Sequence, residues 1–153
     1  MKNLRTTLLF LSVLSLPVWA ASDEPLITLA ESQAEQGRLN QSILVAKSVP
    51  QPGAPQINLL EPVDPGNIVV TPFPVRLQFS TEGGANVIPS SLRVYYGAFG
   101  INITDRLLKR ARFENNELRI DSAEVPSGKH RLLVSIVDSH NRSTEKLLTL
   151  IVK

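Results

Sequence analysis

The sequence predicts an all-β fold: an antiparallel sandwich of seven or eight short strands. Three observations carry that expectation. Apolar and polar residues alternate with period two in "VRLQF", "LRVYY" and "HRLLVSIV". Clusters of Gly, Pro, Asn and Asp punctuate the chain every ~8–12 residues from Gln56 onward, the spacing of sandwich turns. No segment of that region reads as a long helix.

The elements follow in order. Ile57 to Leu60 reads as a short strand, ended by the turn "EPVDPG". Asn67 to Val70 continues extended, and "TPFP" marks a bend. Val75, Leu77 and Phe79 alternate with Arg76 and Gln78, a strand with one wet face. "TEGGAN" is a loop between strands; its two glycines open no helix, so it is not a phosphate cradle. Leu92, Val94 and Tyr96 alternate with Arg93 and Tyr95, and "GAFG" turns the chain into Ile101 to Ile103.

"TDRLLKRAR" admits two readings. It is a helical turn capped by Thr104 or Asp105, or a lead into a strand ending at Phe113. The following "ENNE" favours the strand, because Asn115-Asn116 suits a two-residue hairpin turn needing positive φ. Leu118 and Ile120 then pair back, and "VPSG" turns into two long final strands.

Those two strands are apolar on both faces. His130, Leu132, Val134 and Ile136 share one face, and Leu133 and Val137 the other. Leu148, Leu150 and Val152 share one face, and Leu147 and Ile151 the other. A sheet wetted on one side alternates instead. Leu133, Val137, Leu147 and Ile151 are therefore expected to neighbour each other in an aliphatic stripe and to form a partner-binding surface. Its cover is expected to be the N-terminal arm, a second copy of the chain, or a partner protein.

The N-terminus reads as an export signal. Lys2 and Arg5 precede a short apolar core from Leu8 to Leu16, and Val18-Trp19-Ala20 offers a cleavage site after Ala20. The apolar run is well short of the roughly 20 residues that span a bilayer. The expected location is periplasmic or secreted, with no membrane span. Cleavage removes both cations, leaving 14 Lys and Arg against 14 Asp and Glu. A neutral mature chain is a poor match to nucleic acid. Arg106, Lys109, Arg110 and Arg112 form one basic cluster, read as a solvated face or a docking patch for acidic groups. The chain has no cysteine, so disulfides, thiolate metal sites and lipid attachment at the cleavage site are excluded.

Residues 21–55 are expected to form a loosely structured arm and linker. The arm carries two aliphatic islands, "LITL" and "SILVA". Glu31 to Gln36 has helix-forming composition up to Gly37, and "PQPGAP" is a linker.

The segments "PQINLLEP", "PVRLQFS", "IPSSLRVYYG", "NITDRL" and "VPSGKHRLLVSIVDSHNR" resemble bacterial immunoglobulin-like domains of the E-set type, found in exported proteins. His130 and Asp138 stand at the strand-start and turn positions of that pattern. The resemblance covers residues 56–153 and implies an immunoglobulin-like sandwich with no shared active site. A weaker resemblance, to periplasmic copper carriers, rests on "DSHN", which supplies His140 without the glycine of that run. With two histidines and no methionine in the mature chain, the ligand inventory does not build a copper site.

No residue pattern points to catalysis, and no cofactor is expected. His130 reads as a core histidine bonded to a backbone carbonyl, with no nucleophile motif beside it. Tyr95 and Phe99 flank a glycine-rich hairpin and offer a stacking surface for a sugar or protein partner. The sequence thus supports a non-enzymatic interaction module; the alternative is a carbohydrate-binding or inhibitor-like sandwich using the Tyr95–Phe99 hairpin.

Overall fold

The computed structural model describes residues 24–43, 51–63 and 68–153. The expected signal peptide lies outside these residues, as do Leu44 and Val45 of the second island. The chain is an all-β sandwich. Its elements run α1 (Leu29–Gln36), β1 (Gln56–Glu61), β2 (Ile68–Val69), β3 (Phe73–Ser80), β4 (Val87–Tyr96), β5 (Ile101–Asn102), α2 (Thr104–Leu108), β6 (Arg112–Glu114), β7 (Glu117–Ala123), β8 (Gly128–Asp138) and β9 (Ser143–Val152). One sheet has the order β1-β3-β7-β6 and the other β2-β9-β8-β4-β5. The nine strands exceed the expected seven or eight because β2 and β5 have two residues each. Every pairing is antiparallel except β2–β9, which is parallel.

The core lies between the sheets. Leu77, Phe79, Leu118 and Ile120 come from the four-stranded sheet, and Leu92, Val94, Tyr96, Val134 and Ile136 from the five-stranded one; all are at most 2% exposed. Phe79 and Phe113 stack at 5.6 Å between centroids. The alternation that predicted each strand is what gives it one core face.

Both readings of "TDRLLKRAR" are realised in succession, α2 first and then β6. The expected side-chain cap at Thr104 or Asp105 is not made. Thr104 is buried and its hydroxyl accepts a hydrogen bond from the Val94 N–H at 2.9 Å, while Ile103 occupies the cap position without a side-chain bond. Asn115 and Asn116 turn β6 into β7 with φ of 51° and 59°, both in the left-handed region that a two-residue turn of this kind requires.

The arm holds the short helix expected near Glu31 to Gln36. It starts at Leu29 because Thr28 and Glu31 form a reciprocal capping box. The arm is also integral to the fold: Leu26 and Ile27, 5% and 2% exposed, belong to the core cluster. The first island therefore plugs the interior and does not lie across an outer face.

Candidate functional site

The register of the five-stranded sheet places the residues of its outer face. Tyr95 lies opposite Leu133, and Leu133 opposite Leu147, so these three form one cross-strand row. The expected four-residue stripe is not formed. Val137 lies opposite Ser143 and Ile88, toward the β8–β9 turn, whereas Ile151 lies opposite Lys129 and Ile68, at the other end. The face of each residue was legible from period two, but the turn length that sets the offset between β8 and β9 was not. The row also grades in exposure. Leu133 is 6% exposed, Tyr95 is half-buried, and Leu147 is 52% exposed.

The arm is clasped to one side of this face by buried charge. Arg131, on β8, pairs through Nε with Glu35 of α1, and both side chains are nearly inaccessible. Arg131 also donates to the Gln41 and Arg38 carbonyls at 2.6 and 3.1 Å. The second Glu35 oxygen accepts from the Ala98 N–H at 2.7 Å, so the carboxylate is bonded on both sides. Gly97 sits against it. A Cβ there would fall 2.7 Å from the Glu35 oxygen, and its φ of +66° favours glycine independently. One residue further, the Gln36 amide donates to the Lys129 carbonyl and accepts from its N–H, at 2.8 and 3.1 Å. This side chain completes the ladder where β4 no longer runs beside β8.

A second clasp uses the basic cluster. Arg106 makes a two-pronged pair with Glu31 at 2.7 and 3.0 Å, and Arg110 donates to the Glu24 carbonyl at 2.7 Å. The Arg106 guanidinium holds the Glu31 carboxyl down at about 2, although partial burial pushes the other way. Half of the cluster thus docks the chain's own acidic arm. Lys109 and Arg112 remain exposed, with Arg112 3.9 Å from Asp121.

His130 is fully buried. Its Nε2 lies 2.7 Å from the Pro126 carbonyl and its Nδ1 2.8 Å from the Tyr96 hydroxyl. A carbonyl only accepts, so Nε2 carries the proton and Nδ1 accepts from Tyr96. Burial lowers the imidazole pKa and keeps the ring neutral. His140 lies exposed in the β8–β9 turn, its N–H donating to Asp138. Among the described residues no three His, Asp or Glu side chains converge as a metal site. Phe99 is 57% exposed, with the Arg38 guanidinium 4.2 Å from its ring centroid. One face of the expected stacking surface is therefore occupied by the arm.

The other side of the sandwich is different. β1 is an edge of the four-stranded sheet, and β9 lies next to the two-residue edge strand β2 of the other; a groove of about 460 Å³ runs between β1 and β9, lined by Leu59, Leu60, Val63, Lys146, Leu147 and Leu148 among others. Leu60 is 36%, Val63 87% and Leu147 52% exposed, and Ile68 on adjacent β2 is 48% exposed. Sequence reasoning found Leu147 but missed Leu60, Val63 and Ile68. The signal was present in "NLLEPV", where Leu60 follows Leu59 and so points away from the core.

No family model matches the chain, and no curated protein sequence matches it. Among solved structures it is similar to CopC from Methylosinus trichosporium OB3b, at 18% identity and a TM-score of 0.43, over 64% of this chain and 94% of that one.

Proposed function

We propose that this chain is a non-enzymatic, exported interaction module that binds a protein partner at the β1–β9 side of the sandwich. One observation carries the reading. Leu60, Val63 and Leu147, all large and apolar, are exposed together along one groove, whereas the exposed Leu29, Val70, Phe99 and Leu108 lie outside it. Grouped exposed apolar side chains mark interaction surfaces, whereas scattered ones do not. The mature chain of this proposal starts after Ala20, acts in the periplasm or outside the cell, and comprises the sandwich with its arm folded against it.

The polar features support the same reading. Glu35, Arg131, Asp138, His130 and Tyr96, buried ionisable groups among the described residues, are each bonded to partners that hold the fold together. Each already has a structural partner, whereas a catalytic acid or base needs a proton or lone pair free to meet a substrate. A photo-crosslinking residue placed at Leu147 in living cells tests the proposal. A discrete adduct with a second protein is expected there, and none with the same residue at exposed Arg93. Equal labelling at both positions, or none at 147, would refute it.

A further inference from the structure

The β1–β9 groove carries a second kind of information, in its backbone. Within a strand, successive residues turn their N–H and C=O groups to opposite edges. The Lys153 N–H donates to the Val69 carbonyl at 2.9 Å, so the odd-numbered residues of β9 face away from β8. The Gly97 N–H donates to the Arg131 carbonyl at 2.9 Å, so the even-numbered residues of β8 face β9, in agreement with the register. Among the described residues, β2 pairs with the outer edge of β9 at Ile151 and Val152. The N–H and C=O groups of Glu145 and Leu147 point into the groove with no partner among the described residues. On the facing edge, the Ile57 carbonyl is capped by Lys146 Nζ at 2.7 Å. Leu59 has the same orientation as Ile57 and no cap among the described residues.

Donors and acceptors repeating every second residue along a line are the recognition chemistry of one ligand class, an extended polypeptide. We infer that the groove binds an extended segment of another protein, which adds as a strand to β9 at Glu145–Leu147. This rests on the proposed interaction role and specifies what the partner presents.

A second copy of this chain fits poorly. A two-fold antiparallel pairing of β9 centred on Glu145 or on Lys146 places like charges directly opposite each other, which is destabilising. Centring it on Leu147 brings Ser143 of one copy opposite Ile151 of the other, where β2 is already paired. The groove instead favours a different chain, with an aliphatic residue opposite Leu147, an acidic one opposite Lys146 and a basic one opposite Glu145.

The probe is a synthetic peptide, acetyl-Thr-Val-Glu-Lys-Thr-Val-amide, titrated into the isotope-labelled mature chain. An antiparallel strand sets its first valine opposite Leu147 and its lysine opposite Glu145. The expected result is saturable shifts centred on the Glu145 and Leu147 amides, with slowed hydrogen exchange at both. Methylating the peptide nitrogens of that valine and lysine removes the donors facing β9 and is expected to weaken binding at least about tenfold. Three results overturn strand addition: no shift at millimolar peptide, equal binding of the methylated peptide, or shifts confined to the Leu60 and Val63 side chains. The last would leave an apolar docking patch intact, and the crosslinking experiment above decides that separately.

Discussion

Replacing Arg131 with methionine should detach the arm. The substitution removes a cation whose side chain is 10% exposed and leaves a Glu35 carboxylate that is 1% exposed. That carboxylate keeps one bond, from Ala98 N–H, in place of two partners. Breaking a buried pair by deleting one member costs about 3–5 kcal/mol. The full cost is not reached if α1 lifts away and Glu35 rehydrates, which forfeits the helix contacts instead. A loss of about 2–3 kcal/mol is therefore expected, or roughly 8–12 °C in the midpoint for a domain of this size. The assay is thermal and urea unfolding together with hydrogen exchange. Amides of residues 29–43 should lose protection while those of Leu132–Ile136 keep theirs. The double variant Arg131→Met/Glu35→Leu exchanges the pair for apolar side chains and should recover most of the loss. An Arg131→Met midpoint within about 2 °C of the parent would refute the clasp, since 1 kcal/mol alone shifts it by more. So would a double variant as unstable as the single.

Four further outcomes follow from the same structure. Ile27→Ala, at a side chain 2% exposed within the core, should destabilise the whole domain by about 2–4 kcal/mol in urea unfolding, although it lies outside the strands. The Glu31–Arg106 pair should fail in acid. The folded carboxyl titrates at about 2 against an ordinary 4.5, so its contribution is complete above pH 4.5 and is lost as pH falls toward 2. At this partly exposed site that contribution is about 1 kcal/mol, and Glu31→Gln should abolish the pH dependence of arm protection in that window. Asn116→Val places a β-branched residue at a φ of 59° and should slow folding or lower the midpoint, whereas Asn116→Gly should not. Copper titration of the mature chain should show no tight stoichiometric site dependent on His140, because that side chain stands exposed and isolated in its turn.

Much of the fold was legible because it depends on local period. The inward faces of β3, β4 and β8 are those that alternation assigns, and His130 is the carbonyl-bonded core histidine its position suggests. The Asn-Asn turn was equally readable, since positive φ at two successive residues selects few side chains. What escaped depends on pairing between distant segments. Nothing local says that Leu26 and Ile27 enter a core built ~30 or more residues later. Nor does it say that Glu35 meets Arg131 across 96 positions. The capping box of Thr28 and Glu31 was a missed local signal, and it would have placed the start of α1.

The two apolar faces of β8 and β9 raised one question, and the register divides it in two. Over β8, the outer face is already occupied, and by polar chemistry: a guanidinium, a carboxylate and backbone carbonyls saturate one another beneath the arm. Such an arrangement fixes position more than it adds stability, because desolvating two charges offsets most of their attraction. Over β9, Leu147 is exposed, and its backbone has no partner on the groove side among the described residues. An arm held by directional polar bonds at Arg131 stays over β8, away from that edge. A positioned arm and an open strand edge are therefore complementary: the first shields one half of a two-sided apolar sheet while the second stays available. Releasing the arm by Arg131→Met should then lower peptide binding at β9, as liberated arm residues compete for the edge. An arm without influence on the groove would leave peptide affinity unchanged.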